Sequence, residues 1–302
     1  MKKTLCALVC VMLMFTLCAC NTSSPDNGNE TPSQPKTLDI VLIGGQSNAV
    51  GFSPWDAYDK IYEGVKYFGY GEGTGALDTV YWQEVRNGLG VKGYCFGPEM
   101  GMAEVYSARY ADSDRDIGFV KYAWGGKTIY DHFLSPTSVV QGLGNTSVAQ
   151  QFDDGEDAAN CALGFWNTLK TVRKAVAKAK AAGYEKVNIL AMCWMQGEND
   201  ATTPASVPVY DKLLANFIAD IRFYLENDNL PFVIGQIKTP DDVAGQAEVI
   251  EMQKKVVAAD PLCSLVDTSD LSMKHDDAWH YDYLSMLTLG KRFAEAAIEL
   301  TK

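Results

Sequence analysis

The stretch Ile40–Gly51, which reads IVLIGGQSNAVG, constrains the fold of this chain more than any other. Four apolar residues, three of them β-branched, lead into two glycines and then Ser47. Such an uninterrupted apolar run is typical of a strand buried on both faces of a parallel sheet. The glycines permit a tight turn, which predicts Ser47 just beyond the carboxyl end of the strand, where open α/β sheets bind ligands. The alternative is an ordinary turn in which Ser47 only caps a helix.

Four more strands and five helices alternate along the rest of the chain. The strands are predicted at Asp116–Trp124, Val187–Trp194, Pro231–Ile237 and Cys263–Asp267. The helices are predicted at about 98–110, 158–182, 207–226, 246–259 and 283–300. This alternation predicts an α/β fold, a three-layer α/β/α sandwich with a flavodoxin-like, mostly parallel five-stranded sheet. The segments 52–96 and 130–157 show no clear periodicity and are predicted to be irregular.

The first twenty residues indicate export. Lys2 and Lys3 precede an apolar run that is too short for a convincing membrane span. The run ends in LCAC, which resembles a bacterial lipobox with cleavage before Cys20 and lipid attachment to its thiol. We therefore predict a lipoprotein signal peptide at 1–19, the lipidated Cys20 and a flexible tether at 20–37, and one domain at 38–302. These features predict an exported protein that is anchored by lipid to a bacterial membrane, on its periplasmic or cell-surface face. A plain secretory signal peptide is the alternative.

The domain is acidic. The full chain has a formal charge of −12, and removal of residues 1–19 takes away two lysines and no acid, which leaves −14. Nucleic acid and anionic lipid surfaces repel such a domain, so neither is an expected partner, and contact with a membrane is expected only through the lipid.

Metal and redox chemistry are disfavoured. The cysteines beyond the lipobox are scattered singly, and the chain has only three histidines, without an HxxxH pair. These cysteines are Cys95, Cys161, Cys193 and Cys263. Cys193 and Cys263 lie in apolar strand-like runs and are predicted to be small core residues. A calcium site among the acidic residues of 153–157 is conceivable, but a solvated acidic loop is the favoured interpretation.

Reactive and hydrogen-bonding residues follow several of the predicted strands. Ser47 follows the first, Gly125 and Gly126 the second, and residues 196–200 the third, while Asp277 and His280 lie in the loop after the fifth. The carboxyl ends of parallel strands share one sheet edge, so these residues are expected to converge. Acyl transfer by a serine requires a general base, a carboxylate that orients the base, and donors for the oxyanion.

His280 is the favoured base because Asp277 precedes it by three residues. His275, with Asp276 beside it, is the rival, and His132 lies in a loop that is predicted to be mobile. A two-carboxylate glycosidase that uses Glu198 and Asp200 is disfavoured, because both acids come from one loop.

Four ordered motifs resemble a known family. They are GQSN at Gly45–Asn48, WGGKT at Trp124–Thr128, WMQGEND at Trp194–Asp200 and DAWH at Asp277–His280. Together they resemble the SGNH-hydrolase superfamily and, within it, the sialate O-acetylesterase-like branch that is grouped with carbohydrate esterase family 6. The resemblance extends from about Leu38 to the end of the chain.

The resemblance implies a role for each motif. Ser47 would be the nucleophile, His280 the general base and Asp277 its orienting acid. The oxyanion donors would be the backbone of Ser47 and of the Gly125-Gly126 turn, with a third donor from Gln196, which is favoured, or from Asn199. Gln46, Asn48 and Glu198 would support these loops.

The implied reaction removes O-acetyl groups from sugars, such as sialic acid or xylan-type glycans, without a cofactor. Aromatic residues that could stack on sugar rings are Trp55, Tyr58, Trp82 and Trp279. Two alternatives stay open: a non-catalytic glycan-binding surface lipoprotein, and a short-chain acyl esterase that acts on esters other than sugars.

Overall fold

The fold is built on a sheet whose strands are the apolar runs of the sequence. The computed structural model describes residues 36–54, 60–71 and 80–302. The strands of these ranges are β1 (Thr37–Gly45), β2 (Ser53–Pro54), β3 (Ile61–Gly71), β4 (Gln83–Arg86), β5 (Cys95–Phe96), β6 (Arg115–Ala123), β7 (Gln150–Asp153), β8 (Ala158–Cys161), β9 (Lys186–Met195), β10 (Phe232–Gly235), β11 (Cys263–Val266), β12 (Met273–Lys274) and β13 (Asp277–Tyr281).

Helices connect these strands. They are α1 (Ser47–Val50), α2 (Glu99–Tyr110), α3 (Pro136–Val140), α4 (Leu163–Ala181), α5 (Glu198–Ala201), α6 (Tyr210–Tyr224), α7 (Gln246–Ala259) and α8 (Tyr283–Leu300). Short 3-10 helices occupy Thr146–Val148 and Val207–Val209.

The central sheet contains the five predicted strands and two more. Its order is β11-β10-β9-β1-β6-β3-β4, and every neighbouring pair is parallel except β3 with β4. The five predicted strands are adjacent in the flavodoxin-like order, and the mostly parallel α/β fold is confirmed. The predicted number of strands was too small, because β3 and β4 arise in the segment 52–96 that showed no periodicity.

Alternate residues of β1 enter two separate cores. Leu38, Ile40 and Leu42 pack into the core formed with α4, α6 and α7, whereas Val41 and Ile43 pack into the core formed with α2 and α8. All five are at most 2% exposed. A strand covered on both faces needs apolar residues at consecutive positions, which explains the uninterrupted run. The result is the predicted three-layer sandwich.

Three of the other predicted elements differ in the structure. Residues 158–161 form β8, which pairs with β7, so the helix predicted from 158 begins only at Leu163. The segment 130–157 contains α3, a 3-10 turn and β7 and is therefore not wholly irregular. Residues 207–209 form a 3-10 turn before α6 begins at Tyr210.

The predicted signal peptide, Cys20 and nearly all of the tether lie outside the described residues. Thr37 already belongs to β1, one residue before the predicted start of the domain. In the described part of the chain, no helix is both long and apolar enough to cross a membrane.

Candidate active site

Three strands of the sheet end at the same level. Gly45 of β1 is in register with Ala123 of β6 on one side and with Met195 of β9 on the other. Segments that follow these residues therefore begin side by side, as the sequence predicted. Ser47, the Gly125-Gly126 turn and the residues from Gln196 onward occupy this edge of the sheet.

Gly45 shapes the turn that precedes Ser47. Its φ is +135°, and a Cβ atom at this position would lie 1.9 Å from the Met195 carbonyl oxygen. The next residue, Gln46, donates its backbone N–H to that same oxygen at 2.9 Å. Any other residue at position 45 would clash with the backbone. Ser47 is the first residue of α1 and is 7% exposed, while Gln46 holds the N-cap position, so the helix-cap alternative for Ser47 was wrong.

His280 and Asp277 lie on β13, in a hairpin with β12. His280 Nδ1 is 2.5 Å from Asp277 Oδ2, and the ring stacks on Phe52 with centroids 4.4 Å apart. Asp277 also accepts the Trp279 N–H at 3.0 Å and pairs with Lys274 at 2.8 Å. Burial on its own would raise the pKa of Asp277, but the hydrogen bonds from Lys274, His280 and Trp279 outweigh it and lower the pKa to about 2. Asp277 is therefore ionised at neutral pH and holds the imidazole in one orientation.

The other two histidines have different surroundings. His275 and Asp276 form the exposed two-residue turn of the β12–β13 hairpin. His132 packs between Tyr122, Phe133 and Trp124. Burial and, to a smaller extent, the nearby Lys127 charge lower the pKa of His132 to about 4, while the Asp131 charge opposes them. Among the three histidines, only His280 is bonded to a carboxylate through a ring nitrogen in the described ranges.

Asn48 joins the Ser47 turn to the strand that carries His280. Its Nδ2 donates to the Trp279 carbonyl at 3.1 Å, and its Oδ1 accepts the Tyr281 N–H at 3.4 Å. These two backbone groups flank His280 on either side. The residue directly after Ser47 therefore fixes the backbone around His280, and the segments of the predicted nucleophile and base are neighbours.

Glu198 lies beneath Asn48 and is almost fully buried. Its Oε1 accepts a hydrogen bond from the Asn48 amide at 2.8 Å, and Oε2 has no hydrogen-bond partner among the described residues. Burial raises the pKa of Glu198 to about 7, helped by the neighbouring Asp200 charge and opposed by the Asn48 hydrogen bond. Glu198 therefore holds the Asn48 side chain in place.

Gln196 and Asp200 hold the loop that contains Gly125 and Gly126. Gln196 Nε2 donates to the Lys127 carbonyl at 3.1 Å and also to Asp200, while Asp200 accepts the Ile129 N–H at 3.1 Å. Both side chains are fully buried. Burial raises the pKa of Asp200 to about 6, although the hydrogen bonds from Ser206, Gln196 and Ile129 oppose this rise. Both hydrogens of the Gln196 amide are therefore engaged by other residues of the protein.

Asn199 has a different environment from Gln196. It is partly exposed, and it exchanges two hydrogen bonds with Gln46: Gln46 Nε2 donates to Asn199 Oδ1 at 3.1 Å, and the Asn199 N–H donates to Gln46 Oε1 at 3.3 Å. No residue of the described ranges accepts a hydrogen bond from Asn199 Nδ2. Gln46 thus fixes the orientation of an amide that still has its donor hydrogens available.

A buried ion pair beneath α1 was not foreseen. Lys121 of β6 donates to the Val50 carbonyl at 2.8 Å and to Glu99 at 2.9 Å, and Glu99 accepts the Gly97 N–H at 2.8 Å. Lys121 is 2% exposed and Glu99 is fully buried. Burial lowers the pKa of Lys121, and Glu99 opposes that effect. The pair anchors the last residue of the helix that Ser47 begins, and its signal in the sequence was a lone lysine inside an apolar strand.

The remaining candidate residues have structural surroundings. Three of the acidic side chains at 153–157 surround the Arg173 guanidinium: Asp154, Glu156 and Asp157. No group of three or more metal-binding side chains occurs within 36–54, 60–71 and 80–302. Glu198 and Asp200, the glycosidase candidates, are at most 1% exposed. Cys193 and Cys263 are buried in β9 and β11, as predicted.

The four aromatic residues that were named as able to stack on sugar rings differ in their surroundings. Trp82 packs on Phe68 and donates its indole N–H to the Ala175 carbonyl at 3.1 Å, so its role is structural. Trp279 is partly exposed beside His280. Trp55 and Tyr58 lie outside the described residues.

A family model places this chain among the carbohydrate esterases. The model, described as carbohydrate esterase, sialic acid-specific acetylesterase, matches residues 37–299, and the chain therefore belongs to this family. The resemblance seen in the four motifs is confirmed. Family membership supports carbohydrate esterase activity for the chain. A comparison with curated proteins gives no match.

Solved structures share the fold. A protein from Arabidopsis thaliana is 19% identical with a TM-score of 0.63, over 87% of this chain and 99% of that one. A carbohydrate acetylesterase from Xanthomonas citri is 19% identical with a TM-score of 0.55, over 87% and 56% of the two chains. NanS is 13% identical with a TM-score of 0.56, over 88% and 98%. At these identities the comparison establishes the fold.

Proposed function

We propose that this chain is a serine O-acetylesterase that removes acetyl groups from O-acetylated carbohydrates, such as sialic acid or xylan-type glycans. One observation carries the proposal. Asn48, directly after Ser47, bonds to the backbone on both sides of His280, and Nδ1 of His280 lies 2.5 Å from Asp277. A serine, an imidazole and an ionised carboxylate in this order make up the machinery of acyl transfer.

In the first half of the reaction, His280 Nε2 takes the proton of Ser47 as its Oγ attacks the acetyl carbonyl carbon. Asp277, with its pKa near 2, stays ionised and stabilises the imidazolium that forms. The tetrahedral intermediate collapses when the bond to the sugar oxygen breaks. The sugar oxygen takes the proton from His280 and leaves as a hydroxyl, which gives an acetyl-Ser47 ester. In the second half, water that gives a proton to His280 attacks this ester; the bond to Ser47 Oγ then breaks, Oγ takes the proton back from His280, and acetate is released.

The oxyanion donors in this proposal are the backbone N–H groups of Ser47 and the Gly125-Gly126 turn, with Asn199 Nδ2 as the third. Asn199 replaces Gln196, the donor favoured from the sequence, because both Gln196 amide hydrogens are bonded to Lys127 and Asp200. Each such donor is typically worth about 3 to 4 kcal/mol of transition-state stabilisation. Gln196 acts instead by holding the loop that presents the glycine turn.

We also propose that the domain acts outside the cytoplasm, anchored by a lipid on Cys20. The basic start, the apolar run and the LCAC sequence support this location. Mass spectrometry of the membrane-extracted protein tests it, because a diacylated N-terminal Cys20 is expected. An N-terminus at any other residue would contradict it.

Acetate release tests the catalytic proposal. Wild type, Ser47→Ala and the control Ser113→Ala, an exposed serine at the opposite sheet edge, are assayed on p-nitrophenyl acetate and on acetylated saccharides. Wild type and the control should release acetate, while Ser47→Ala should lose at least three orders of magnitude in kcat. Wild type that binds glycans without releasing acetate would favour the binding lipoprotein. Higher activity on p-nitrophenyl octanoate than on the acetate would favour an esterase for other acyl chains.

A further inference from the structure

A cleft lies beside the candidate active site. It has a volume of about 850 Å³ and is lined by Trp279 together with residues from 201–208 and from 242–252. This volume lies within the range of small-molecule sites and far exceeds the needs of an acetyl group. The cleft therefore has room for the part of a substrate that extends beyond the ester.

Two residues that line the cleft are close along the chain to the base and to the proposed oxyanion donor. Trp279 directly precedes His280 on β13. Ala201, another lining residue, ends α5, the four-residue helix that contains Asn199. The partly exposed indole of Trp279, next to His280 on the strand, is therefore available for stacking on a sugar ring of a saccharide whose acetyl group reaches Ser47.

The charge of the cleft has a single sign. Asp242 and Glu248 are the charged residues among those that line it in the described part of the chain, and both are acidic. A substrate carboxylate in this cleft would meet two like charges and, among the described residues that line it, no counter-ion.

We propose that this cleft binds the sugar portion of an uncharged O-acetylated saccharide, with Trp279 stacking on a ring, and that Asp242 and Glu248 select against sugars that carry a carboxylate. The proposal rests on the esterase function proposed above and specifies its substrate class. It separates neutral acetylated glycans from acetylated sialic acids, which the catalytic residues alone do not distinguish.

The test compares kcat/KM of wild type on an acetylated xylo-oligosaccharide and on an O-acetylated sialoside. We expect the neutral ester to be preferred by about tenfold, from two like charges acting across partly screened solvent. The double variant Asp242→Asn/Glu248→Gln should narrow this preference several-fold. The matched control Asp112→Asn/Asp114→Asn removes two exposed charges from the turn before β6, at the opposite edge of the sheet, and should leave the preference unchanged.

Trp279 is tested through KM for the neutral ester. Trp279→Leu should raise this KM by roughly 3- to 10-fold, and Trp279→Tyr by less, because tyrosine retains an aromatic face. Equal KM values for wild type and Trp279→Leu would overturn the stacking role.

The results also separate this proposal from the esterase function itself. Preference of wild type for the sialoside would overturn the proposed selectivity. Loss of that preference in Lys127→Met would then identify Lys127, beside the glycine turn, as the partner of the substrate carboxylate. A preference that is the same in the cleft variant and the control would overturn it as well. No acetate release by wild type from any ester, p-nitrophenyl acetate included, would instead refute the proposed function.

Discussion

Replacement of Glu198 by glutamine should make the stability of the protein less dependent on pH. Burial raises the pKa of Glu198 from its ordinary value of 4.5 to about 7, so the folded state binds this proton more tightly than the unfolded chain does. The free energy of unfolding contributed by Glu198 is therefore fully present below pH 4.5 and is lost as the pH rises to about 7. Glutamine has nearly the shape of the protonated acid, carries no charge and still presents an oxygen to Asn48.

The size of the effect follows from the difference between the two pKa values. A tenfold change in proton affinity corresponds to about 1.4 kcal/mol, so Glu198→Gln should exceed wild type in unfolding free energy by roughly 3 kcal/mol above pH 7. Near pH 4.5 the two proteins should be nearly equal. Urea denaturation of both proteins between pH 4.5 and 8 measures the difference in their unfolding free energies. Contributions from groups that titrate in both proteins cancel in this difference. The control Glu295→Gln removes an exposed carboxylate from α8 and should show a constant difference from wild type.

A stability difference between Glu198→Gln and wild type that does not grow with pH would refute this account of Glu198. The activity of the variant provides a second check. Since the Asn48 amide retains its acceptor, kcat should stay within about threefold of wild type, as expected when a neutral hydrogen bond is kept. A large loss of kcat in a folded variant would mean that the charge of Glu198 takes part in the chemistry.

The other substitutions test the oxyanion donor, the orienting acid and the buried ion pair. Asn199→Ala should lower kcat by about 10²- to 10³-fold with little change in the free energy of unfolding. Gln196→Ala should lower both kcat and the free energy of unfolding, because it leaves buried partners unpaired. Asp277→Asn should lower kcat by about 10⁴-fold while circular dichroism stays unchanged, because the imidazole loses its orienting charge. Lys121→Met should cost about 3 to 5 kcal/mol in urea denaturation by leaving Glu99 buried and unpaired, and Lys121→Met/Glu99→Leu should recover much of this loss. Equal stability of the single and double variants would contradict the pairing.

The central strands were predictable because burial on both faces requires an apolar residue at each position. The carboxyl ends of the three central strands β1, β6 and β9 lie within two residues of the predicted ends. β3 was missed because IYEGVKYFGYG mixes glycine and charged residues with its apolar ones, and its outer neighbour is only the short β4. The sequence AANC of β8 has helix-forming alanines, and only its pairing with β7 makes it a strand.

That the candidate residues meet at one edge of the sheet was predictable, because each follows a strand or occurs in a short motif. Which of the two amides, Gln196 or Asn199, keeps its donor hydrogens available was not predictable, since it depends on which side chain points toward Asp200 and the Lys127 carbonyl. Spacing along one turn carries no such information. The contact between Asn48 and Glu198 joins residues 150 positions apart and likewise appears only in the folded chain.

Labelling of Ser47 with a fluorophosphonate tests the central claim most directly, because this reagent bonds to a serine only when a neighbouring base activates it. Peptide mapping of wild type should find one label, on Ser47, and the label should vanish in Ser47→Ala and fall sharply in His280→Ala. A label on a different residue, or a Ser47→Ala variant that still releases acetate at the wild-type rate, would contradict the proposed mechanism.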